Sequence, residues 1–335
     1  MSNLEGMSGP AGQNNTTVAD LRSALTSESV PLAKRFRSLF SLKHVAASGR
    51  GEDSYAAIEA IAAAFSTPSA LLKHELAYCL GQTRNPKAVP FLRAVLEDYT
   101  EDPMVRHESA EALGALGDAG SLEIMKKMKD DANEPTVVRE TCEIAIDRIN
   151  WQLSEASKSE NLKPSDFASI DPAPPMASTA STPDIAALQK TLLDASRPLF
   201  ERYRAMFALR DLASPPDAPT AEPAVHALAS GFVDKSALFR HEIAFVFGQL
   251  SHPASIPALF KVLADQREES MVRHEAAEAL GSLGEEPGVE EKLKDFLNDS
   301  EQVVRDSVIV ALDMAEYEKN GEMEYAMIPE VTASA

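Results

Sequence analysis

The chain has 335 residues, enough for one large domain or two medium ones with a sizeable core. It is rich in Ala, Leu, Glu and Lys, and only 6% of its residues are aromatic, which favours helix over sheet. No stretch keeps the alternation of β-branched and polar residues that a strand needs, so an all-α fold is predicted. The formal net charge of −20 argues against a nucleic-acid partner and favours a cationic ligand or a basic protein surface.

The chain begins with residues 1–17, which are small and polar and are predicted to be a disordered tail. This segment has neither the basic nor the apolar region of a secretory signal, and no apolar run is long enough to span a membrane. Cys79 and Cys142 are the only cysteines and provide no disulfide framework. These features predict a cytoplasmic protein without a membrane partner.

Residues 18–153 are predicted to form an N-terminal half of four helical-hairpin repeats. A His-Glu dipeptide occurs in the second repeat at His74 and in the third at His107, 33 residues later. A period in the thirties with helical patterning is typical of stacked helix pairs of the HEAT type. Extending the period predicts a degenerate first repeat near Arg37 and a fourth repeat at VVRET, which starts at Val137.

Residues 154–184 are rich in Ser, Pro and Ala and are predicted to be a flexible linker. The following half, residues 185–320, repeats the first half. The segment SALLKHELAYCLGQ starts at Ser69 and SALFRHEIAFVFGQ at Ser236, an offset of 236 − 69 = 167. The same offset relates MVRHESAEALGALG to MVRHEAAEALGSLG, and RFRSLFSL to RYRAMFAL. Chance does not preserve one offset over three separate segments, so the sequence indicates an internal duplication.

The C-terminal half again has His-Glu in its second and third repeats, at His241 and His274. Degenerate repeats flank them, near Arg204 and at VVRDS, which starts at Val303. The predicted architecture is therefore an α-solenoid of eight HEAT-type helical-hairpin repeats in two pseudo-symmetric halves of four. Residues 321–335 are predicted to be a second tail.

The His-Glu dipeptides are the strongest functional signal. A single His on a helix is usually a surface or core residue, and a single Glu is usually a solvated charge. Here four of the seven histidines precede Glu, and all four occupy equivalent repeat positions. Each pair is predicted to lie early in a helix, with Thr67, Asp102 and Asp234 as candidate N-caps. The pattern therefore predicts a metal site built from His and Glu.

The ligand types restrict the metal and its chemistry. Imidazole and carboxylate without thiolate argue against a structural zinc site. Two His and one carboxylate, with open positions, are typical of Fe(II) that activates O₂. Each half offers one such set, so the two halves would form a dinuclear iron centre if they face each other.

These motifs resemble those of the deoxyhypusine hydroxylase family. The resemblance covers about residues 29–151 and 196–317, and the long linker and N-terminal tail depart from the family pattern without touching the motifs. It implies a monooxygenase with two Fe²⁺ ions that uses O₂ and a reductant. Its substrate would be the deoxyhypusine side chain of a translation factor, which it converts to hypusine.

The resemblance also implies a set of site residues. The metal-binding set falls on His74, Glu75, His107, Glu108, His241, Glu242, His274 and Glu275. Eight side chains exceed what two irons need if O₂ and water also bind. We expect the four histidines with Glu108 and Glu275 to be direct ligands, and Glu75 and Glu242 to bind the amines of the substrate. Glu111 and Glu278, one helical turn further on, are candidates for orienting the imidazoles or are ordinary exposed charges.

Three other interpretations keep the repeats. A metal-free HEAT-repeat scaffold would bind a peptide on its concave face and would contain no iron. HEAT-like phycobilin lyases have similar repeats but lack strict His-Glu pairs in the second and third repeats of each half. A hydrolase could use the same ligands with another metal, although no separate general base or nucleophile stands out. The sequence does not identify the electron donor or the oligomeric state.

Overall fold

In the computed structural model, residues 17–48, 51–160, 162, 166–177 and 184–319 are described. The regular secondary structure in these ranges is entirely helical. None of the described helices is both long and apolar enough to cross a membrane. The predicted all-α solenoid is confirmed, while the predicted tails lie almost wholly outside the described residues.

The described helices fall into four pairs in each half, and we call the first helix of each pair outer and the second inner. The outer helices are α1 (Val18–Thr26), α3 (Glu52–Ala63), α5 (Val89–Glu97), α7 (Leu122–Asp130), α10 (Ile185–Leu193), α12 (Ala221–Ala229), α14 (Ile256–Ala264) and α16 (Val289–Leu293). The inner helices are α2 (Leu32–Ala47), α4 (Ala70–Gln82), α6 (Pro103–Ala115), α8 (Thr136–Leu153), α11 (Leu199–Leu212), α13 (Ala237–Leu250), α15 (Ser270–Gly281) and α17 (Gln302–Lys319). A short helix, α9 (Glu155–Ser159), follows the first half.

A repeated arginine contact joins the outer and the inner helix in five of the eight pairs. The guanidinium Nε of Arg106 donates to the carbonyl of Leu96, ten residues earlier, at the end of the outer helix. The same contact is made by Arg35, Arg139, Arg202 and Arg273. In the first repeat of each half, the arginine equivalent to Arg106 is therefore Arg35 or Arg202. These lie two residues before Arg37 and Arg204, which the sequence period indicated.

The two halves close into a ring. The N-cap residue of α13, Ser236, donates its hydroxyl to Glu140 of α8 at 2.6 Å. The other junction is held by two hydrogen bonds from Arg37 of α2 to Asp313 of α17, at 2.6 and 3.0 Å. Met104 also packs into the apolar core of the opposite half. The sequence could not decide between a straight solenoid and facing halves, and the structure has facing halves.

All the inner helices point in the same direction. Within a half, the N-terminus of each inner helix lies beside the N-termini of its neighbours. Across the halves, the ring of Tyr78 lies 5.9 Å from that of Phe245, its counterpart at the offset of 167, so equivalent positions of α4 and α13 lie side by side. The ring therefore has an N-terminal face and a C-terminal face, named after the inner helix ends found there. The N-terminal face consists of the loops 27–31, 67–69, 98–102, 131–135, 194–198, 234–236, 265–269 and 297–301. The C-terminal face includes the loops 83–88, 116–121, 213–220, 251–255 and 282–288.

Part of the segment between the halves is packed against the ring. We call residues 166–177 the strap. The backbone N–H of Ile170 donates to the side-chain oxygen of Gln82 at 2.8 Å, and the carboxylate of Asp171 pairs with Arg210 at 2.8 Å. Ala173 is fully buried. A flexible linker was expected here, and this portion of it is instead fixed by contacts with both halves.

Candidate metal centre

The four predicted histidines meet at the middle of the ring. They come from α4, α6, α13 and α15, two helices from each half. The ring centroid of His74 lies 5.4 Å from that of His107, 5.7 Å from that of His241 and 5.2 Å from that of His274. None of the four residues is more than 5% exposed. The duplication and the ring closure together bring one imidazole from each of four helices to a single buried point.

The starts of these helices fix where the imidazoles lie. Asp102 accepts a hydrogen bond from the N–H of Met104, as predicted. The other two predicted caps are wrong, since Ser69 and Ser236 cap α4 and α13. Thr67 and Asp234 instead accept from the N–H groups of these serines, which forms a turn before each helix.

The imidazole nitrogens have no hydrogen-bond partners in the part of the chain that the structure describes. All eight of them are buried and unpaired, and so are one carboxylate oxygen of Glu75 and one of Glu242. Buried polar atoms in folded proteins are normally hydrogen-bonded, because an unpaired one costs about 1–3 kcal/mol. Unpaired lone pairs that converge on one point fit the binding of cations. The donor set therefore fits a metal centre.

Two further carboxylates complete a set in each half. An oxygen of Glu108 lies 3.3 Å from Nε2 of His74, and an oxygen of Glu275 lies 3.3 Å from Nε2 of His241. In both cases the carboxylate comes from the third repeat and the imidazole from the second. Donor atoms of His241, His274 and Glu275 lie within 4.8 Å of one another, as do those of His74, His107 and His241. The first of these groups offers two His and one carboxylate in the C-terminal half, and in the N-terminal half donor atoms of His107, Glu108 and Glu111 lie within the same distance of one another.

The electrostatics of the centre favour neutral imidazoles at three of the four histidines. Burial and the neighbouring histidines hold the pKa of His107 and of His274 well below the usual range, and burial lowers that of His241 to about 3. Burial also acts to lower the pKa of His74, but the carboxylates of Glu108 and Glu75 outweigh it and raise the pKa to about 9. A neutral imidazole has the free lone pair that a metal ligand needs.

Glu75 and Glu242 are placed differently from Glu108 and Glu275. Burial, together with the charge of Glu278, raises the pKa of Glu75 to about 8. Burial, together with Glu111, raises that of Glu242 well above its usual range. Each of the two is therefore close enough to a carboxylate of the opposite half for that negative charge to raise its pKa. Lys43 partly offsets the negative charge at Glu75, but the carboxylates raise each other's pKa, so the site favours positively charged ligands.

Glu111 and Glu278 lie beside the third-repeat imidazoles. An oxygen of Glu278 is 3.7 Å from Nδ1 of His274 and accepts a hydrogen bond from Ser307 at 3.1 Å. Glu111 groups with His107 and Glu108 within 4.8 Å. Burial raises the pKa of both carboxyl groups. Because both carboxyl groups are buried beside an imidazole, the interpretation that they orient the imidazoles is favoured over the interpretation that they are ordinary exposed charges.

The sequence did not single out Ser307, Glu140 or Asp306, which lie at the His-Glu position of the end repeats and contact the helices of the centre. The sequence signal that could have identified them is that they occupy the repeat position of the His-Glu pairs. His44 and His226 are exposed, and His252 accepts a hydrogen bond from the N–H of Ala254, so none of these three belongs to the centre.

A cavity of about 410 Å³ lies elsewhere, beside the strap. Its lining includes Arg84, Arg148 and Asp171, and none of the eight His-Glu residues. We place the functional site at the histidines, because the converging unpaired donors are there.

Known proteins share both the repeats and the length of the chain. Residues 57–147 and 221–313 match the family model of HEAT repeats. The chain is 71% identical over 323 residues to the deoxyhypusine hydroxylase of Coccidioides immitis, covering 96% of each chain. It is 69% identical over 335 residues to that of Aspergillus niger, covering 100% of this chain and 97% of that one.

A solved structure agrees with these sequence matches. The structure of human deoxyhypusine hydroxylase in complex with glycerol is 45% identical, with a TM-score of 0.78, covering 90% of this chain and 96% of that one. The resemblance found in the sequence is thereby confirmed. The chain belongs to the deoxyhypusine hydroxylase family.

Proposed function

We propose that this protein is a di-iron monooxygenase that hydroxylates the deoxyhypusine side chain of a translation factor to hypusine, using O₂ and a reductant. We further propose that it acts in the cytoplasm, without nucleic acid or membrane as a partner. The observation that carries the proposal is the convergence of four buried histidines whose eight ring nitrogens all lack hydrogen-bond partners. Family membership supplies the substrate.

The donor set suits two ferrous ions. His74, His107 and Glu108 would hold one ion, and the corresponding residues of the C-terminal half, His241, His274 and Glu275, would hold the other. Two ferrous ions bound by these groups would supply the activation of O₂ that hydroxylation requires. The burial of these side chains would keep bulk water away from the reaction.

Glu75 and Glu242 would bind the substrate. Deoxyhypusine has two amines in a chain, and both are protonated near neutral pH. A carboxylate beside a desolvated ammonium forms a charge-assisted hydrogen bond, which is stronger than a neutral one. Each of these glutamates keeps one unpaired oxygen in the centre, which is the group that an ammonium donor needs. They would therefore hold the side chain by its two amines.

Glu111 and Glu278 would orient the imidazoles of the third repeats. A carboxylate that accepts the second N–H of a metal-bound imidazole fixes its tautomer and the direction of its other lone pair. The hydroxyl of Ser307 in turn holds Glu278.

Metal analysis tests the proposal directly. Protein loaded with Fe²⁺ without oxygen should contain two irons per chain, and it should hydroxylate the deoxyhypusine substrate when O₂ and a reductant are added. Binding of zinc alone, with hydrolytic activity, would instead support the metal-dependent hydrolase. Failure to bind metal, with retained peptide binding, would support the scaffold.

A further inference from the structure

The strap lies over the middle of the C-terminal face. Its Ile170 is bonded through both backbone groups to the side chain of Gln82, at 2.8 and 3.4 Å. The neighbouring Ser169 accepts a hydrogen bond from Gln249 at 2.7 Å. Gln82 and Gln249 are counterparts at the offset of 167 and close α4 and α13 on opposite sides of the pseudo-two-fold axis. A segment bonded to both must cross that axis.

Three layers therefore separate the centre from the C-terminal face. Nearest to the histidines, Tyr78 and Phe245 meet edge to face, one helical turn beyond His74 and His241. The two glutamines and then the strap cover this pair. The strap is fixed from the sides as well, because Arg210 pairs with Asp171 and is covered by the ring of Phe167.

On the opposite side, the centre is covered by methionine side chains. Met104 and Met271 lie one helical turn nearer to the N-terminal face than His107 and His274, and they are 6% and 8% exposed. Their unbranched side chains can change conformation at little cost. A long, narrow side chain can reach the centre by displacing them, whereas entry from the C-terminal face would require removal of the strap.

The N-terminal face also has the charge that a basic partner needs. Its loops contain thirteen acidic and three basic residues, a net charge of −10, whereas the loops of the C-terminal face together with the strap contain six acidic and two basic residues, a net charge of −4. Six of the thirteen carboxylates pair with basic residues at the starts of inner helices. Two more pair within their own loops.

Five carboxylates of the N-terminal face remain without an ion pair among the described residues: Asp98, Asp102, Asp131, Glu269 and Glu301. Helix capping accounts for Asp102 but not for its counterpart Glu269, which is exposed and makes no side-chain cap. The two lie at the starts of α6 and α15, the helices of His107 and His274.

We propose that the substrate protein docks on the N-terminal face of the ring through a basic surface and inserts its cationic side chain between the starts of α6 and α15, while the strap keeps the C-terminal face closed. This inference rests on the proposed function and adds the face and the chemistry of docking. Opposite charges across such an interface act mainly on the rate of association, and salt weakens them.

The test compares two double variants of the iron-loaded full chain. Asp102→Asn with Glu269→Gln removes two charges from the N-terminal face, and Asn preserves the helix cap. Glu285→Gln with Glu286→Gln removes two charges just beyond the other end of α15. Association with the deoxyhypusine-containing substrate protein should slow about 3- to 10-fold at low salt for the first variant and less than about 2-fold for the second. The difference should shrink at high salt.

Hydrogen exchange of the complex provides a second measurement. Substrate protein should protect amides of the loops 98–102 and 265–269 and leave that of Ile170 unchanged. Equal slowing by both double variants, or protection confined to the strap, would overturn the docking face. If the wild-type chain neither binds nor hydroxylates the substrate protein, the proposed function itself fails, so the two failures are distinguishable.

Discussion

The carboxylate of Glu108 lies 3.3 Å from the imidazole of His74, although the two residues belong to consecutive repeats. Neighbouring residues on a helix point about 100° apart, so His107 and Glu108 face different parts of the centre. Glu108 thereby reaches back to the second repeat while His107 stays in the third. Glu275 and His241 repeat this relationship at the same distance. The ligand sets are thus built between repeats, and losing one residue affects its neighbour as well.

Removal of a third-repeat histidine should cost the chain at least one of its two irons. His107→Ala and His274→Ala each leave one imidazole in their half, so iron should fall to about half the wild-type content or less and hydroxylation should be lost. Iron content per folded chain, together with circular dichroism, measures the effect. His44→Ala is the control, because His44 is exposed and outside the centre. Normal iron content in either centre variant would contradict the assignment.

Removal of the charge of a second-repeat glutamate should separate substrate binding from iron binding. Glu75→Gln and Glu242→Gln should keep most of the iron while the affinity for the substrate protein falls about 10-fold or more, since an ion pair between carboxylate and ammonium becomes a hydrogen bond to a neutral amide. Glu108→Gln is the matched comparison and should lose iron. Both quantities are to be measured on one preparation. Loss of iron from Glu75→Gln would make Glu75 a direct ligand.

Repetition made the centre predictable from the sequence. Four His-Glu dipeptides at equivalent positions indicated both the residues and their common location, and helical patterning indicated the fold class. The distinction between glutamates that face an imidazole and those that face the opposite half depends on how the helices stack. No short sequence motif specifies how the helices stack. The assignment of Glu108 and Glu275 as direct metal ligands therefore remains a prediction.

Other features could not be predicted because their partners are distant in sequence. The composition of the strap resembles that of a linker, but Ile170 and Asp171 find partners at Gln82 and Arg210, on opposite halves of the ring. Two of the three predicted helix caps were wrong for a local reason. Two acceptable caps stand two residues apart before α13, and Asp234 is used in the turn while Ser236 caps the helix.

Stability should depend on a buried ion pair at the junction of the last two repeats. Burial acts to raise the pKa of Asp299, but hydrogen bonds from Arg273 and from the N–H of Glu301 lower it to about 2, against an ordinary 3.8. A depressed pKa contributes stability that is present above pH 3.8 and is lost as the pH falls through 2. Asp299→Asn should therefore lower the free energy of unfolding by about 2 kcal/mol at pH 7 and by about 1 kcal/mol at pH 3.

Urea denaturation at the two pH values measures this difference. Asp265→Asn is the control, because Asp265 and Arg267 form an exposed pair that water and salt screen, and it should change stability little. Equal losses for the two variants, or a loss for Asp299→Asn that does not diminish at pH 3, would show that the buried pair does not act through its charge.

The spacing of the helices that carry the histidines should change when Gly81 is replaced by Ala and should stay the same when its counterpart Gly248 is replaced. A Cβ on Gly81 would lie 2.7 Å from the Cβ of Ala112 and 2.8 Å from its Cα, so α4 and α6 would have to move apart. A Cβ on Gly248 would lie 3.4 Å from the Cα of Ala279, which is ordinary contact. Gly81 and Gly248 are counterparts at the offset of 167, so the duplication supplies a matched pair of substitutions.

Gly81→Ala should lower the free energy of unfolding of the iron-free chain by about 1–3 kcal/mol, the usual cost of overpacking. It should also weaken iron binding, because His74 and Glu108 lie on the two helices that are pushed apart. Gly248→Ala should be neutral or stabilising by up to about 1 kcal/mol, since Ala favours a helix interior over Gly. Thermal unfolding of the iron-free chain and iron titration of the same samples give the two quantities separately. If Gly81→Ala behaves like Gly248→Ala in both measurements, the close approach of α4 and α6 does not set the geometry of the centre.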